Sequence, residues 1–442
     1  MDVCSAEGMG AAEITRAIAR GQLSAQEVAQ ETIVRIRNSE AQIHAWVGVD
    51  EDGAMGTARA IDAGNTRGLL AGVPIGIKDI IDVAGLPTQH GSAIYRADEG
   101  RVADADAACV ALCRDAGGVI MGKTVTTEFA YFQPGPTANP HNLAHTPGGS
   151  SSGSAAAVAA GMVPVALGSQ TAGSLIRPAS YCGIWALKPS YGLLSLAGVK
   201  GMSQSLDTLG LLARNVEDLA LMWTALLRLD RAAISVSATQ GSPAIEDTLS
   251  GRTPRVGVWI PDWKELEPSS RKAVEGAAQA LEHAGARVEP LRLPAECEQL
   301  TQAQRIVQAF EAARALSFER VSHADQLSPS IRALFDQGLS CPYEDYLQAL
   351  ALASQCRRQL AQAFHDIDAV LAPSAPGPAP KGLDATGDPL FSRMWNLLHL
   401  PSVNVPFMRT DDNLPIGVQL IAGYGKDTHL LNVAAWTELV LA

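Results

Sequence analysis

Apolar and polar positions along the first part of the chain follow helix-like and strand-like patterns in turn. Residues 11–37 have apolar side chains at helical spacing, and Gly21 interrupts them, which predicts two amphipathic helices. Residues 74–81 are apolar except for Lys78 and Asp79, which predicts a buried strand that runs into a turn. A lysine inside such a strand is unusual, because lysines are rarely buried.

The alternation continues toward the middle of the chain. Residues 104–115 have a helical pattern, and residues 119–121 begin a strand. Residues 155–160 predict a buried helix, and residues 163–167 predict another strand. Strands that alternate with helices are typical of an α/β sheet with helices packed on it.

The next part of the chain departs from this alternation, and the last part returns to it. A helix is predicted over 270–284, with strands over 255–260 and 287–291, and a helix-rich, charged segment follows over 298–365. We interpret this part as an excursion from one sheet within a single domain. The domain, residues 1–442, comprises an N-terminal helical region (1–65), a core that carries the candidate chemistry (66–233), the helix-rich excursion (234–368) and a return to the core sheet (369–442).

Composition and charge exclude several classes of function. The 442 residues carry a net charge of −12 and no basic patch, so no nucleic-acid partner is expected. Residues 155–167 are apolar, but Gly161 and Pro164 interrupt them, and no apolar run is long enough to span a bilayer. The first residues lack the pattern of a secretory signal. We therefore expect a cytoplasmic protein with no membrane partner.

Neither the cysteines nor the histidines predict a metal site. The seven cysteines are scattered, and Cys109 and Cys113 have no second pair to complete a zinc site, which favours free thiols in a reducing compartment. His141 and His145 lie four residues apart, but the surrounding prolines and glycines predict a loop rather than a helix. No metal is therefore expected.

Two short turns rich in small residues carry several serines. The first covers residues 148–154, GGSSSGS, and the second covers residues 171–174, TAGS. Small residues let backbone N–H groups approach a substrate closely, so a serine in such a turn is a candidate nucleophile. A phosphate-binding turn is the alternative, but the Gly-Lys-Ser/Thr sequence that closes a P-loop is missing.

The group that would take a proton from such a serine is less evident. None of the nine histidines lies in a recognisable triad motif, although a Ser–His–Asp arrangement depends on geometry and stays open. Lys78 is the alternative base, because burial among apolar residues favours the neutral amine. A lysine that reaches to solvent, or that pairs with Asp79 or Asp82, fits the sequence equally well.

Several motifs in one order resemble the amidase signature family. Lys78 lies in GVPIGIKD, Ser150 in GGSSSGS and Ser174 in TAGSLIRPA. The segments DVAGLPT, LKPS, SLDTLG and LPIGVQLIAG extend the resemblance over most of the chain. Within the family the sequence looks closest to malonamidase-like bacterial amidases. The resemblance implies one α/β/α domain, with N-terminal helices, around a mixed, mostly parallel twisted sheet.

The resemblance also implies a Ser–cis-Ser–Lys triad. It assigns Ser174 as the nucleophile, Ser150 as the bridging serine that a cis peptide bond precedes, and Lys78 as the base. Backbone N–H groups of the second turn would hold the oxyanion, and Ser151 would support the first loop by hydrogen bonding. The N–H groups in question belong to Thr171, Ala172, Gly173 and Ser174. No cofactor is expected.

Two positions depart from the usual pattern of the family. Ala172 stands where the family usually has a glycine, but alanine keeps its backbone N–H. Arg177 lies three positions after Ser174, whereas many members have an arginine two positions after the nucleophile. Arg177 is a candidate for binding a substrate carboxylate, and a structural arginine that ties two loops together is the equal alternative.

The expected function is therefore hydrolysis of a small-molecule carboxamide to an acid and ammonia or an amine. Hydrolysis of carbamates or aryl anilides is an alternative with the same triad. An A-type subunit of a tRNA-dependent amidotransferase is a second alternative, and the acidic charge and the position of Arg177 favour it less. A binding module without activity is disfavoured because all three triad positions are intact. The expected partner is a small-molecule amide, and a homodimer is left open.

Overall fold

One sheet runs through the protein. The computed structural model describes residues 5–65, 68–96, 102–227, 249 and 251–441. Its strands are β1 (Trp46–Val49), β2 (Pro74–Lys78), β3 (Val119–Thr124), β4 (Val165–Gln170), β5 (Trp185–Lys188), β6 (Thr208–Ala213), β7 (Arg255–Val258), β8 (Arg287–Pro290), β9 (Ala369–Pro373), β10 (Ser402–Arg409) and β11 (Pro415–Ile421). They form a sheet in the order β1-β3-β2-β4-β6-β5-β10-β11-β9-β7-β8.

Helices follow or separate most of these strands. They are α1 (Ala11–Ala19), α2 (Ala25–Ile43), α3 (Glu51–Asp62), α4 (Ala108–Asp115), α5 (Ser152–Ala159), α6 (Ile176–Cys182), α7 (Val216–Leu227), α8 (Pro268–His283), α9 (Leu300–Ala315), α10 (Ser317–Ser322), α11 (Pro329–Ser340), α12 (Tyr343–Asp366), α13 (Leu390–Leu397) and α14 (Asp427–Leu441). The predicted α/β class, the mixed sheet and the N-terminal helices are confirmed. Within the described ranges, no helix combines the length and the apolar character that a membrane crossing requires.

The expectation of a mostly parallel sheet is wrong. Among the described residues, six of the ten strand pairs are antiparallel, and four are parallel. The antiparallel pairs β10–β11, β11–β9, β10–β5 and β5–β6 lie next to one another in the middle of the sheet. β10 and β11 are joined by a short turn, which only an antiparallel pair allows, since a parallel pair needs a long crossover.

The middle of the chain leaves the sheet later than its sequence indicates. β7 and β8 pair in parallel at one edge of the sheet, and β7 also pairs with β9. The helix-rich part proper therefore begins after β8 and contains α9 to α12. The boundaries that we placed at residues 66 and 234 lie outside the described residues.

The pairing of β2 with β4 positions the two serine turns. These strands are parallel neighbours, with Ile75 opposite Val165 and Ile77 opposite Leu167. Parallel strands end at the same edge of a sheet. Lys78, the last residue of β2, therefore lies at the edge where β4 continues into residues 171–174.

Candidate active site

Lys78 is fully buried, and its amine contacts two hydroxyl groups. Its Nζ atom lies 2.7 Å from Ser150 Oγ and 2.8 Å from Ser169 Oγ. Burial lowers the pKa of Lys78 to about 7, although the charge of Asp207 raises it somewhat. A neutral amine is thus available near neutral pH at the end of β2.

The other interpretations of Lys78 do not fit this geometry. The neighbouring Asp79 forms its ion pair with Lys123, with 3.0 Å between Nζ and Oδ1. Among the described residues, Lys78 itself forms no ion pair, and none of its side chain reaches solvent. The two neighbouring charged residues therefore have different partners. Asp79 pairs with Lys123, whereas the amine of Lys78 contacts serine hydroxyls.

The first serine turn has an unusual backbone. The peptide bond between Gly149 and Ser150 is cis, as the resemblance implies. Gly148 has φ of +82°, and a Cβ atom there would lie 2.9 Å from Pro178 Cα, so only glycine fits. The carbonyl oxygen of Gly149 accepts a hydrogen bond of 2.6 Å from Arg177 Nη2. This contact ties the cis loop to α6.

The second turn presents Ser174 between β4 and α6. The backbone N–H groups of Leu175 and Ile176 donate to Gln170 Oε1 at 3.0 and 3.2 Å, which fixes the chain after the serine. The N–H of Ser151 donates to the Ser174 carbonyl oxygen at 3.4 Å and joins the two turns. The Ser174 hydroxyl itself forms no hydrogen bond to any residue in the described ranges.

Backbone donors beside Ser174 are free to bind a ligand. Within the described part of the chain, the N–H groups of Ala172, Gly173 and Ser174 have no hydrogen-bond acceptor. Ala172 has a negative φ, so alanine adopts this turn without strain. A Cβ atom at Gly173 would lie 2.6 Å from Pro389 Cβ, which explains the glycine there. Three unpaired donors in one turn suit a developing negative charge.

Thr171, at the start of this turn, is held from three sides. Its Oγ1 donates to Asp207 Oδ1 at 2.5 Å. Its carbonyl oxygen accepts from Asn396 Nδ2 at 2.8 Å and from Gln304 Nε2 at 3.0 Å. The turn is thus fixed by side chains from the segment before β6, from α13 and from the helix-rich part of the chain.

The two serines share one small cavity of about 250 Å³ including open solvent. It is lined by Ala130, Tyr131, Phe132, Ser150, Thr171, Ala172, Ser174, Arg177, Gln308 and Pro389. A larger opening outside it, which we call the vestibule, also contacts Tyr131, Phe132 and Gln308 and has a volume of about 1100 Å³ including open solvent. The shared residues place the vestibule next to the cavity.

Arg177 lines the cavity, and part of its guanidinium group is hydrogen-bonded to the protein. Its Nη2 binds Gly149 and also lies 3.2 Å from Thr386 Oγ1. Its Nε and Nη1 are buried and have no partner among the described residues. Burial lowers the pKa of Arg177 to about 10. The hydrogen bond to Gly149 supports the interpretation of Arg177 as a structural arginine that ties two loops together. Its Nε and Nη1 remain as donors for a substrate carboxylate.

Ser151 and the two histidines occupy structural positions. Ser151 Oγ donates to the Ser169 carbonyl oxygen and accepts from the Ser169 N–H, both at 3.3 Å, which links the first turn to β4. His141 and His145 each contact a backbone carbonyl at 2.8 Å. In the described ranges there is no cluster of three or more metal-ligating side chains, and the six described cysteines are free; Cys4 lies outside them.

Sequence reasoning missed several residues around the site. Ser169 binds the lysine, and Asp207, Gln304 and Asn396 hold Thr171. Two of them carried a signal, because Ser169 is two residues from the second turn and Asp207 lies in the SLDTLG motif. Gln304 and Asn396 lie in segments without a recognisable motif.

Comparison with known proteins identifies the family. The amidase family profile matches residues 27–431. The chain belongs to the amidase signature family. A curated relative from Koribacter versatilis, named as the A-type subunit of glutamyl-tRNA(Gln) amidotransferase, is 33% identical over 96% of this chain and 97% of its own length. The prediction that this family member is closest to malonamidase-like amidases stays a prediction.

Solved structures of related proteins have the same fold. A protein from a vestigial complex, described as revealing the origins of an s-triazine catabolic enzyme, superimposes with a TM-score of 0.87 and 32% identity over 98% of this chain and 99% of its own. Peptide amidase from Stenotrophomonas maltophilia does so with a TM-score of 0.83 and 27% identity over 99% of this chain and 97% of its own. The fold is therefore shared with proteins that are named for different activities.

Proposed function

We propose that this protein is a stand-alone amidase that hydrolyses a small-molecule carboxamide through an acyl-enzyme on Ser174. The observation that carries the proposal is the buried amine of Lys78, 2.7 Å from Ser150 in the cavity that Ser174 also lines. A base whose pKa is about 7 can accept a proton under physiological conditions. Neither a metal nor a cofactor has a part in the proposed steps.

Acylation begins with two proton transfers. Neutral Lys78 takes the hydroxyl proton of Ser150, and Ser150 takes the proton of Ser174 as its Oγ attacks the amide carbonyl carbon. The carbonyl oxygen becomes an oxyanion beside the N–H groups of residues 171–174. One such donor contributes about 2.7–4 kcal/mol to stabilising the transition state.

Departure of the leaving group and attack by water complete the cycle. Ser150 passes a proton to the leaving nitrogen, the C–N bond breaks, and ammonia or an amine departs. Water then attacks the acyl-enzyme, its proton passes through Ser150 to Lys78, and the ester bond to Ser174 Oγ breaks. Ser174 regains its proton and the carboxylic acid is released.

Carbamates and aryl anilides are alternative substrates with the same steps. Both present a carbonyl carbon with a nitrogen leaving group, so neither requires a different nucleophile or base. The vestibule opens to solvent, so an aryl leaving group that extends into it would not be confined. We expect selection between amides, carbamates and anilides to depend on the residues that line the vestibule.

The A-type component of a tRNA-dependent amidotransferase is the second candidate, favoured by the name of the Koribacter versatilis relative. Such a component would use the same triad to release ammonia for transfer within a larger assembly. The net charge of −12 offers little attraction for tRNA. The two candidates differ in whether the isolated chain turns over amides without other components and ATP.

A hydrolysis screen tests the proposal. The purified full chain is assayed for release of ammonia or amine from acidic, aliphatic and aryl amides, carbamates and esters, with Ser174→Ala as the control. Turnover of an amide that Ser174→Ala lacks is the expected result. Equal rates in both proteins, or no turnover in any class by the chain alone, would contradict a stand-alone amidase.

A further inference from the structure

The vestibule contains a buried arginine that forms no ion pair with any carboxylate of the described residues. Arg393, on α13, is 5% exposed and lines the vestibule. Its Nη1 donates to Gln304 Oε1 and, at 3.2 Å, to Gln308 Oε1. Both acceptors are neutral amides, and Arg393 forms no ion pair with any described residue.

Part of this guanidinium has no hydrogen-bond acceptor. Within the described part of the chain, neither Nε nor Nη2 of Arg393 donates to a protein group, and Nε is buried. Buried charges in proteins are normally paired, and buried donors normally have acceptors. Nε and Nη2 form one edge of the guanidinium, and such an edge matches the two oxygens of a carboxylate.

The vestibule carries charges of both signs around Arg393. Burial lowers the pKa of Arg393 to about 10, and the nearby charges of Arg305 and Arg177 act in the same direction. Asp384 and Asp388 also line the vestibule, and Asp388 opposes this effect. None of these side chains is within ion-pair distance of Arg393 in the described ranges, so Asp388 acts on its charge only from a distance.

The position of Arg393 links it to both parts of the site. Gln308 accepts from Arg393 and lines the cavity that Ser174 and Ser150 share, as well as the vestibule. A substrate whose amide lies at Ser174 and whose other end extends into the vestibule would therefore come close to this arginine. Gln304, the other acceptor, donates to the carbonyl of Thr171 in the oxyanion turn.

We propose that Arg393 binds an anionic group of the substrate and makes the enzyme selective for amides that carry a carboxylate on the part extending into the vestibule. This inference rests on the proposed amidase function. Arg177 stands closer to the reacting carbonyl, whereas Arg393 binds the far end of the substrate. Arg393 is thus a specificity-determining residue and has no part in the proton relay.

Matched substrates test the inference by activity. The monoamide of a short dicarboxylic acid is compared with neutral and cationic amides of the same length. We expect the wild type to prefer the anionic amide, and we expect Arg393→Gln to reduce the anionic-to-neutral ratio of kcat/KM by about 10- to 100-fold, as for loss of a hydrogen bond between charged groups. Arg332→Gln, an exposed position on α11, is the control and should keep the ratio.

Binding tests the inference apart from turnover. Calorimetry on Ser174→Ala measures the Kd of the anionic and neutral amides, with and without Arg393→Gln, so a failure of the proposed chemistry does not hide a binding site. A wild type that prefers neutral or cationic amides overturns the inference, as does a variant that weakens both amides equally. If Arg393→Gln does not fold, the inference is tested by the preference of the wild type for the anionic amide and by the same comparison of amides in Arg393→Lys.

Discussion

The Nζ atom of Lys78 lies 2.8 Å from the Oγ atom of Ser169, so the amine that contacts Ser150 is also held by a second hydroxyl. Ser169 belongs to β4, the strand that leads directly into the turn with Ser174. The proposed base is therefore held by the strand that leads to the proposed nucleophile.

Removal of this anchor should slow the reaction without abolishing it. We expect Ser169→Ala to lower kcat by about 2- to 10-fold, the effect of losing one hydrogen bond of a neutral amine, because the amine is then free to turn away from Ser150. The control is Ser154→Ala, which removes a buried hydroxyl bonded to the Leu167 carbonyl. A loss of equal size in both variants would show general damage to the core instead.

Replacement of the proposed nucleophile should have a larger effect. Ser174→Ala is expected to reduce kcat by at least about 10³-fold, because residual catalysis by the oxyanion turn alone is small. Thermal unfolding should be nearly unchanged, since the hydroxyl has no hydrogen bond to a described residue. Ser152→Ala, in the neighbouring turn, is the control. Retained turnover in Ser174→Ala would remove this serine from the mechanism.

The rate should depend on pH through the protonation of Lys78. The pKa of this amine is about 7, and only its neutral form accepts a proton. We therefore expect kcat/KM to be level above about pH 7 and to fall about tenfold for each pH unit below it. Lys78→Ala should remove most activity across this range.

A second buried lysine offers a matched control for that profile. Lys188 on β5 also has a pKa lowered to about 7 by burial, but its Nζ donates to the Pro189 carbonyl rather than to a serine of the cavity. The pH profile of Lys188→Met should keep the midpoint of the wild type. If the midpoint moves in Lys188→Met, the titration belongs to Lys188 and not to Lys78.

Arg177 is expected to act on both kcat and KM. Arg177→Ala removes the donor to the Gly149 carbonyl, so kcat should fall for every amide by about tenfold, the effect of one lost hydrogen bond. KM should rise further for amides with a carboxylate near the scissile bond than for neutral ones. Steady-state kinetics on matched amides measures both. An equal rise in KM for both classes would leave only the loop-tying role.

The sequence contains clearer signals for the residues of the proposed relay than for the residues around them. Lys78, Ser150 and Ser174 lie in short motifs. The small or apolar residues beside them indicate a tight turn or a buried strand, which a local sequence pattern can predict. Ser169 and Gln304 lie in ordinary strand and helix patterns, and only the packing of distant segments brings them to the site. Local patterns contain no signal for such contacts.

The strand directions illustrate the same limit. Apolar runs such as residues 369–373 and 415–421 look alike whether a buried strand pairs in parallel or antiparallel fashion. The sequence therefore predicts the existence of β9 and β11 but not their antiparallel pairing. The strands β7 and β8 are likewise predicted, whereas their place at the end of the same sheet depends on β9, far along the chain.

The reacting groups and the vestibule arginine come from separate stretches of the chain. Lys78, Ser150 and Ser174 precede α6, whereas Arg393 and its acceptors belong to α9 and α13. Mutations in residues 291–398 that spare Gln304 and Asn396, which hold the Thr171 carbonyl, can thus change which amides are accepted while the proposed bond cleavage is kept. A chimera that exchanges this stretch between two relatives is a direct route to an enzyme with new selectivity.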